Sequence, residues 1–336
     1  MTVIVTGGAG FIGSNLIKAL NARGEKQIIA VDDLRQGDTF LNLVDLEIND
    51  YLDKKDLFKA FSEGWWGKIE AVFHQGACTD TLESNSAYLM ESNYQYSNDL
   101  YTICNAQKVP LIYASAATVY GRSTQFSEER ANEKPLNAYG YSKFLFDQYA
   151  RDCILEKKNT AQLVGLRLFN VYGPYESHKK NASSIIFQML QQYKNQGFVN
   201  LFGKYQDNAA GEQRRDFISI EDIVKINLYF LDHPEKSGIF NAGTGTTHSF
   251  NAVACQAINS MLQSQGQPAL SLADMVKQQL IRYIPVPKSL ERKYQNFTQA
   301  NLDQLRAVGY TDQFIDLTQG IQKYGDWLVK NPDFFQ

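Results

Sequence analysis

Cysteine is scarce in this chain: Cys78, Cys104, Cys153 and Cys255 lie far apart and form no C-x-x-C pair. Neither a disulfide framework nor a zinc site is expected, no other metal site is expected, and a reducing cytoplasm fits. No apolar run approaches the ~20 residues that a membrane-spanning helix needs. A basic excess is also missing: 33 Lys and Arg against 36 Asp and Glu leave a net charge of −3. Nucleic acid and anionic membranes are thereby poor candidates for the main partner. The amino terminus passes from Met1-Thr2 straight into VIVTGG, which leaves no room for a signal peptide, so a cytoplasmic location is expected. Internal repeats and low-complexity stretches are absent. What remains is a chain of 336 residues, long enough for a large core, with 12% aromatics that suit sugar stacking as well as packing.

Val3-Ile-Val5 is a short β-branched run that breaks into Thr6-Gly-Gly-Ala-Gly-Phe-Ile-Gly13, and Ile12, Leu16, Ala19 and Leu20 continue at helical spacing. Strand, glycine loop and helix give meaning to the pattern Gly8-x-Gly10-x-x-Gly13, and Gly7-x-x-Gly10-x-x-Gly13 satisfies its short-chain dehydrogenase variant. Glycines let backbone approach a pyrophosphate, and the N–H groups of Phe11, Ile12 and Gly13 at the helix start can hold its charge. A second strand from Gln27 to Val31 ends at Asp32, roughly 20 residues past Gly13, where an acid is expected on the adenosine ribose. Asp32 favours NAD, whereas Arg35 could accommodate a 2′-phosphate, so the residues alone leave the two dinucleotides open.

Further along, Val44-Asp45-Leu46 reads as the next strand with Asp50–Lys55 as its loop, and Ile69–His74 as a buried strand ending in the turn Gln75-Gly76-Ala77-Cys78. His74 reads as a packed strand-end histidine. A helix around Tyr88–Gln107 precedes the central strand Pro110–Ser115, whose carboxyl end, Ala116–Gly121, should face the crevice beyond the strand ends. Leu163–Phe169 is a further strand leading to Asn170-Val171-Tyr-Gly-Pro174. From Tyr175 the alternation breaks: Glu176–Asn181 is loop-like, Ser184–Asn195 helical. Arg214–Ser219 and Gly238–Ala242 read as strands rejoining the first domain, and the tail from Ser249 as helices with a short strand at Arg282–Pro285. The expected fold is α/β: a doubly wound parallel sheet of Rossmann type in residues 1–172 plus 216–243, with a smaller substrate domain in 173–215 plus 244–336 and a site between them.

Residues 137–158 read as a helix behind Pro135, with apolar positions at Tyr141, Leu145, Tyr149 and Ile154. Tyr139 and Lys143, four apart, share one face, so a phenol and an ammonium can address the same atom. A free tyrosine has a pKa near 10, and a neighbouring ammonium favours the phenolate. The pair is a candidate proton-transfer unit.

Together these motifs resemble the extended short-chain dehydrogenase/reductases that act on nucleotide sugars. Longer strings narrow the likeness: Leu41–Leu46, His74–Cys78, Tyr94–Ser97, Lys134–Asp147, Glu176–Lys179 and Tyr294–Leu302 resemble the ADP-L-glycero-D-manno-heptose 6-epimerases. The resemblance runs from the first strand to the last helix, with extra residues around Gln263–Lys277. It implies epimerisation at C6″ of an ADP-linked heptose by transient oxidation with NADP (or NAD), in a homo-oligomer, most simply a pentamer, serving lipopolysaccharide precursor synthesis. It implies Tyr139 as the catalytic tyrosine, Lys143 as the lysine holding the nicotinamide ribose, and Lys179 as a second acid/base that also touches the cofactor. Gly7, Gly10, Phe11, Ile12, Gly13, Asp32, Asp33, Arg35, Thr39, Lys54, Gln75, Gly76, Ala77, Cys78, Ser92 and Val171 fall at cofactor positions. Asn170, Asn181 and Gln188 fall at sugar positions, and Phe202, Gly203, Lys204, Arg215 and Tyr294 around the ADP portion.

The pattern is not complete. Where the superfamily places a serine or threonine whose hydroxyl bonds the reacting sugar oxygen, this chain has Ala116. Either the site is unusual or a serine has been replaced, and the intact flanks favour replacement. Ser115 should point to the opposite side of its strand, and Thr118 could substitute if the turn allows. Thr39 stands where a lysine meets the 2′-phosphate, which leaves NADP resting on Arg35. Ser92 replaces an asparagine and Gln188 a histidine. Two other functions stay open: another nucleotide-sugar epimerase or dehydratase such as a UDP-hexose 4-epimerase, and a non-catalytic dinucleotide-binding sensor.

Overall fold

The apolar run at the amino terminus sits in β1 (Thr2–Thr6), and α1 (Phe11–Ala22) follows the glycine loop. This computed structural model describes residues 2–34, 37–81, 83–287 and 295–335. Strands and helices then alternate through β2 (Ile28–Asp32), β3 (Asp50–Asp53), α2 (Leu57–Glu63), β4 (Ile69–His74), α3 (Ser86–Leu89), α4 (Tyr96–Gln107), β5 (Leu111–Ala116), α5 (Ala138–Leu155) and β6 (Leu163–Leu168). A π-helical turn, Met90–Gln95, joins α3 to α4. After them come β7 (Asn170–Tyr172), α6 (Ile185–Gln196), β8 (Val199–Phe202), β9 (Arg214–Ser219), α7 (Ile220–Asp232), β10 (Gly238–Ala242), β11 (Thr247–Ser249), α8 (Phe250–Ser264), α9 (Leu272–Lys277), β12 (Ile281–Ile284), α10 (Asp303–Ala307) and α11 (Leu317–Lys330).

Among the described residues, the main sheet has seven strands in the order β10-β6-β5-β4-β1-β2-β3, with every pair parallel. Its strands are nearly all apolar because both faces are covered. On one face Leu16, Ile17 and Leu20 of α1 pack with Ile223, Ile226 and Phe230 of α7; on the other lie Phe61 of α2, Leu100 of α4 and Phe146 of α5. The chain reverses direction across the sheet between β1 and β4, which opens a crevice at their carboxyl ends. This is the doubly wound fold expected from the sequence.

A second core gathers Phe187 and Leu190 of α6, Leu201 of β8, Ile258 of α8, Met275 of α9 and Ile321 of α11. Leu305 of α10 and nearby Tyr310 instead return to the core of the main sheet. Among the described residues no helix is long and apolar enough to cross a membrane.

Three local expectations are corrected. Val44–Leu46 forms a turn with Val44 exposed, and the strand beside β2 is Asp50–Asp53. That strand lies at the sheet edge and buries only Leu52, so its sequence carries no apolar signature. Arg214–Ser219 does not rejoin the main sheet; it pairs with β7 and β11 in a small sheet of three, while Gly238–Ala242 does rejoin, beside β6. Glu176–Asn181, expected as loop, mostly lies in a tight 3-10 turn, Ser177–Ala182.

Candidate active site

The carboxyl ends of β1, β4 and β5 bring the glycine loop, the Gln75–Cys78 turn and Ala116 to one side of the sheet. Gly7, with φ +66°, lies so close to the next turn that an added Cβ would fall 2.6 Å from the Gly76 nitrogen. A Cβ on Gly13 would fall 2.0 Å from the Gly7 carbonyl oxygen, so the first turn of α1 can sit against the loop only as glycine. Gly10 occupies the N-cap, without a capping side chain, and no acid lies in the first turn. The helix start around Phe11 and Ile12 therefore presents N–H groups with no intrahelical partner, and its dipole favours an anion there. A dinucleotide fits this cradle on chemical grounds.

At the end of β2, Asp32 accepts from the Ala9 amide (2.8 Å) and the Asp33 amide (2.7 Å). Burial pushes its carboxyl up, and those two bonds oppose the shift. Asp33 pairs with Lys54 at 3.1 Å. The Thr39 hydroxyl oxygen is buried and meets no partner among the described residues. Arg35 and Tyr294 lie outside the described residues, as does the side chain of Asn181.

The Gln75–Cys78 turn is held from both sides. Gln75 donates to Asn227 (3.2 Å), and the Gly76 amide donates to the Thr6 hydroxyl (3.2 Å). Ala77 lies between, and the Cys78 amide donates to Asn93 Oδ1 (2.8 Å) while Asn93 Nδ2 donates back to the Cys78 carbonyl (3.0 Å). Ser92 does not take this part: its hydroxyl donates to the Tyr88 carbonyl (2.7 Å). Buried Asn93, on the π-helical turn, is the asparagine that fixes the turn, and the sequence reading missed it.

His74 is a packed, bonded histidine, as expected. Ser97 gives its one hydrogen to the Asn93 carbonyl (2.5 Å), so it must accept from His74 Nε2 (2.9 Å). Nδ1 then carries no hydrogen and accepts from the Thr6 hydroxyl (2.7 Å). Burial, with Lys143 nearby, drives the ring down to about 3, so it stays neutral.

Helix α5 begins where Asn137 Oδ1 caps the Gly140 amide (2.7 Å), two residues after Pro135. Tyr139, Lys143 and Asp147 fall one turn apart on its buried side, as the four-residue spacing predicted for the first two. The apolar stripe read from the sequence is not the buried face: Tyr141 is 48% exposed and Tyr149 38%. Amphipathic phenols can face water, which is why they mimicked a core stripe.

Tyr139 lies in a small apolar cluster with Ala116 and Leu89, against which Cys78 packs. The tuning expected from Lys143 is not what dominates here. Burial, reinforced by Cys78, pushes the Tyr139 phenol up. Lys143 Nζ donates to the Ala114 carbonyl at 2.8 Å, and burial, opposed by Asp147, pulls it down to about 8. Ser115 turns away from Ala116, as strand alternation requires, and donates to Asp147 (2.9 Å). The Thr118 hydroxyl is buried without a partner among the described residues.

Behind α5 lies a buried charge network that the sequence reading also missed. Arg167 of β6, fully buried, bonds Asp147 (2.8 Å), Glu133 (2.5 Å) and the Tyr120 hydroxyl (3.0 Å). Tyr113 and Ser115 complete the Asp147 carboxylate, and Arg151 the Glu133 carboxylate. One signal was present: an arginine within the apolar run Leu163–Phe169 can be buried only with partners.

Beyond β6, Asn170 donates to the Asp216 carbonyl (2.7 Å) and Arg215 donates to Asn170 Oδ1 (3.4 Å). Arg215 also donates to the Gln295 carbonyl. The Asp216 carboxylate is taken up by Thr244, Gly245 and Ala300 on the opposite side of β9. Val171 lies in β7 beside Ile218. Gln188, in the first turn of α6, donates to the Ser183 carbonyl (2.9 Å). Phe202 ends β8, the Gly203 amide bonds the Ile284 carbonyl (2.8 Å), and Lys204 is exposed beyond it.

Lys179 reaches from the Ser177–Ala182 turn to the Phe11 ring at the glycine loop (5.5 Å to its centre). Asn42 ties the same regions together: its amide nitrogen lies within hydrogen-bond distance of the Ala9 carbonyl (2.8 Å), His178 Nδ1 (3.2 Å) and the Tyr175 carbonyl (3.3 Å). Lys179 is thus brought to the mouth of the glycine loop, although it lies some 170 residues on in sequence.

A parallel sheet with its crevice at β1/β4, glycine backbone packed at that crevice and an uncapped helix facing it define a Rossmann-type α/β protein. The comparisons agree and go further. The model of the NAD dependent epimerase/dehydratase family matches residues 3–243, and the chain belongs to that family. Over its length it is similar to the ADP-L-glycero-D-manno-heptose-6-epimerase of Helicobacter pylori, with 30% identity, TM-score 0.77, and coverage of 98% of this chain and 96% of that one. The UDP-N-acetylglucosamine 4-epimerase of Methanobrevibacter ruminantium shares the fold at 21% identity and TM-score 0.79, with 98% of each chain covered. So does the UDP-glucose 4-epimerase of Thermus thermophilus, solved with NAD, at 23% identity, TM-score 0.73, and coverage of 97% and 98%.

Proposed function

We propose that the chain is a nucleotide-sugar epimerase that inverts C6″ of ADP-D-glycero-D-manno-heptose by transient oxidation with bound NADP. The observation carrying this reading is the meeting of Tyr139, Ala116 and Cys78 at the strand ends, with Lys143 one turn on and Lys179 arriving from the second lobe. The full-length likeness to an ADP-heptose epimerase supports the sugar.

When bound, the dinucleotide supplies reversible hydride exchange at a sugar carbon. The chain's residues do the rest. Tyr139 takes the proton of the hydroxyl on that carbon while the oxygen faces it, and Lys143 supplies the positive charge that favours its phenolate. Once the sugar has turned over, its oxygen no longer faces Tyr139, so a second group has to serve that orientation; Lys179 is assigned that part. Asn170, Asn181 and Gln188 hold the sugar, and Phe202, Gly203, Lys204, Arg215 and Tyr294 the ADP. Arginine suits a diphosphate because its fork pairs with phosphate oxygens. In this reading residues 1–172 with 216–243 hold the dinucleotide, and 173–215 with 244–336 the nucleotide sugar. The assembly is a homo-oligomer.

Two binding measurements test the proposal. ADP-mannose is expected to bind the dinucleotide-loaded protein more tightly than UDP-glucose; the reverse order would turn the reading toward a UDP-hexose 4-epimerase. Titration of the dinucleotide-free protein is expected to show tighter binding of NADP⁺ than of NAD⁺, with Lys54 and Arg35 as the cations for the 2′-phosphate. A clear preference for NAD⁺ overturns that choice and assigns Asp32 and Asp33 to the ribose hydroxyls.

A further inference from the structure

We propose that Glu176 is the positioning residue for the Lys179 amine: its carboxylate closes the loop that carries the lysine and keeps that amine charged. The assignment rests on the reading of Lys179 as the second proton-transfer group and explains how a loop lysine could serve as one.

Glu176 is 1% exposed. One carboxylate oxygen accepts from the Gly173 amide (3.2 Å) and the Ser184 hydroxyl (2.8 Å), the other from the Ser184 amide (2.5 Å). Gly173 opens the loop and Ser184 is the N-cap of α6, so one side chain joins the two ends of an excursion of about a dozen residues. The loop needs such a clasp. Tyr175 has φ +72° and Lys180 φ +48°, strained conformations for residues with a side chain that persist only where surroundings dictate them. Lys179 sits between them, and its amide donates to the Glu176 carbonyl (3.0 Å), which fixes the two side chains about one turn apart.

Among the described residues, the charges around the pair are few. Facing Glu176 are Lys179 and, from α11, Tyr324. Lys179 faces Glu176, with His178 beside it on the same turn and the Phe11 ring opposite. Burial drives His178 down to about 4, helped by Lys179, so it brings no charge near neutrality. Burial also pulls the Lys179 amine below the usual lysine value, and the Glu176 carboxylate is the charge that opposes this. A clasp alone could be made by a neutral side chain. Because the carboxylate is buried about one turn from the amine, its charge also bears on that amine's proton affinity.

The two roles predict opposite signs. The pH midpoint of Lys179 can be read by competitive acetylation of the whole protein with acetic anhydride and peptide mass spectrometry, using exposed Lys180 as internal reference. In Glu176→Gln the Lys179 midpoint is expected to fall by at least about one pH unit, a tenfold loss of proton affinity, with Lys180 unmoved. Glu176→Asp keeps the charge but withdraws it by one carbon, so its midpoint should lie between the two; it decides the matter alone if the glutamine variant does not fold. A midpoint that stays put, or rises as the loop opens and the amine is hydrated, would overturn the proposal. No sugar enters the assay, so the absence of epimerase turnover in both the parent protein and Ala116→Ser would sink the functional reading while leaving this pair standing.

Discussion

Placing a hydroxyl at position 116, by Ala116→Ser, is expected to raise epimerase turnover at least about tenfold. Removal of one positioned donor from such a site typically costs ~10²–10³ in rate, and addition should recover a large part of that. The geometry suits the substitution. Ala116 ends the strand that faces the crevice, is buried against Tyr139, and asks the site to accept a single extra oxygen. The measurement is kcat for interconversion of the two ADP-heptose epimers, with the parent protein alongside. An unchanged rate would mean that the site already has its donor, and Thr118, whose buried hydroxyl has no partner among the described residues, is where it would come from. If the serine variant were inert on heptose and hexose nucleotides alike, a non-catalytic dinucleotide-binding role would replace the enzymatic one.

The second large effect concerns stability. Arg167→Met is expected to lower unfolding stability by about 3–5 kcal/mol, because it leaves Glu133 and Asp147 buried beside a thioether in place of a cation. Denaturant unfolding of the two proteins at neutral pH reads the difference, and a loss under about 1 kcal/mol would show that the network relaxes or takes in water. The pH dependence has a definite sign. Burial pushes the Glu133 carboxyl up, but Arg151 and Arg167 outweigh burial and hold it below its usual value. A depressed carboxylate contributes stability that is complete above the unfolded value, near pH 4.3 for glutamate, and lost as the pH falls through the folded one. The gap between parent and variant should therefore narrow in acid.

How much of this was legible beforehand follows from what is local. The glycine loop, β1 and α1 lie within some twenty consecutive residues, and the spacing of Gly7, Gly10 and Gly13 carries their geometry almost by itself. Tyr139 and Lys143 were legible for the same reason: a four-residue interval on a helix is a shared face. Misreadings came where burial depends on distant partners. Tyr141 and Tyr149 looked like core residues because hydrophobicity cannot tell an amphipathic phenol at the surface from one inside. The edge strand Asp50–Asp53 was invisible because it needs only Leu52 to face inward. Asn42 and Asn93 bind groups distant in the chain, and nothing in their neighbours announces it, whereas Arg167 gave only the hint of a charge within an apolar run.

The hydrogen relay from Thr6 through the imidazole of His74 to Ser97 has a consequence for how the protein meets changing acidity. A histidine at a strand end beside a crevice would ordinarily gain charge between pH 5 and 8 and disturb whatever rests on it. Here the ring is pinned as a one-way conduit with its protonation decided, and it titrates only near 3. The junction where the sheet reverses its winding is thus insulated from the pH of its surroundings, and sensitivity on the alkaline side of neutrality passes to Lys143.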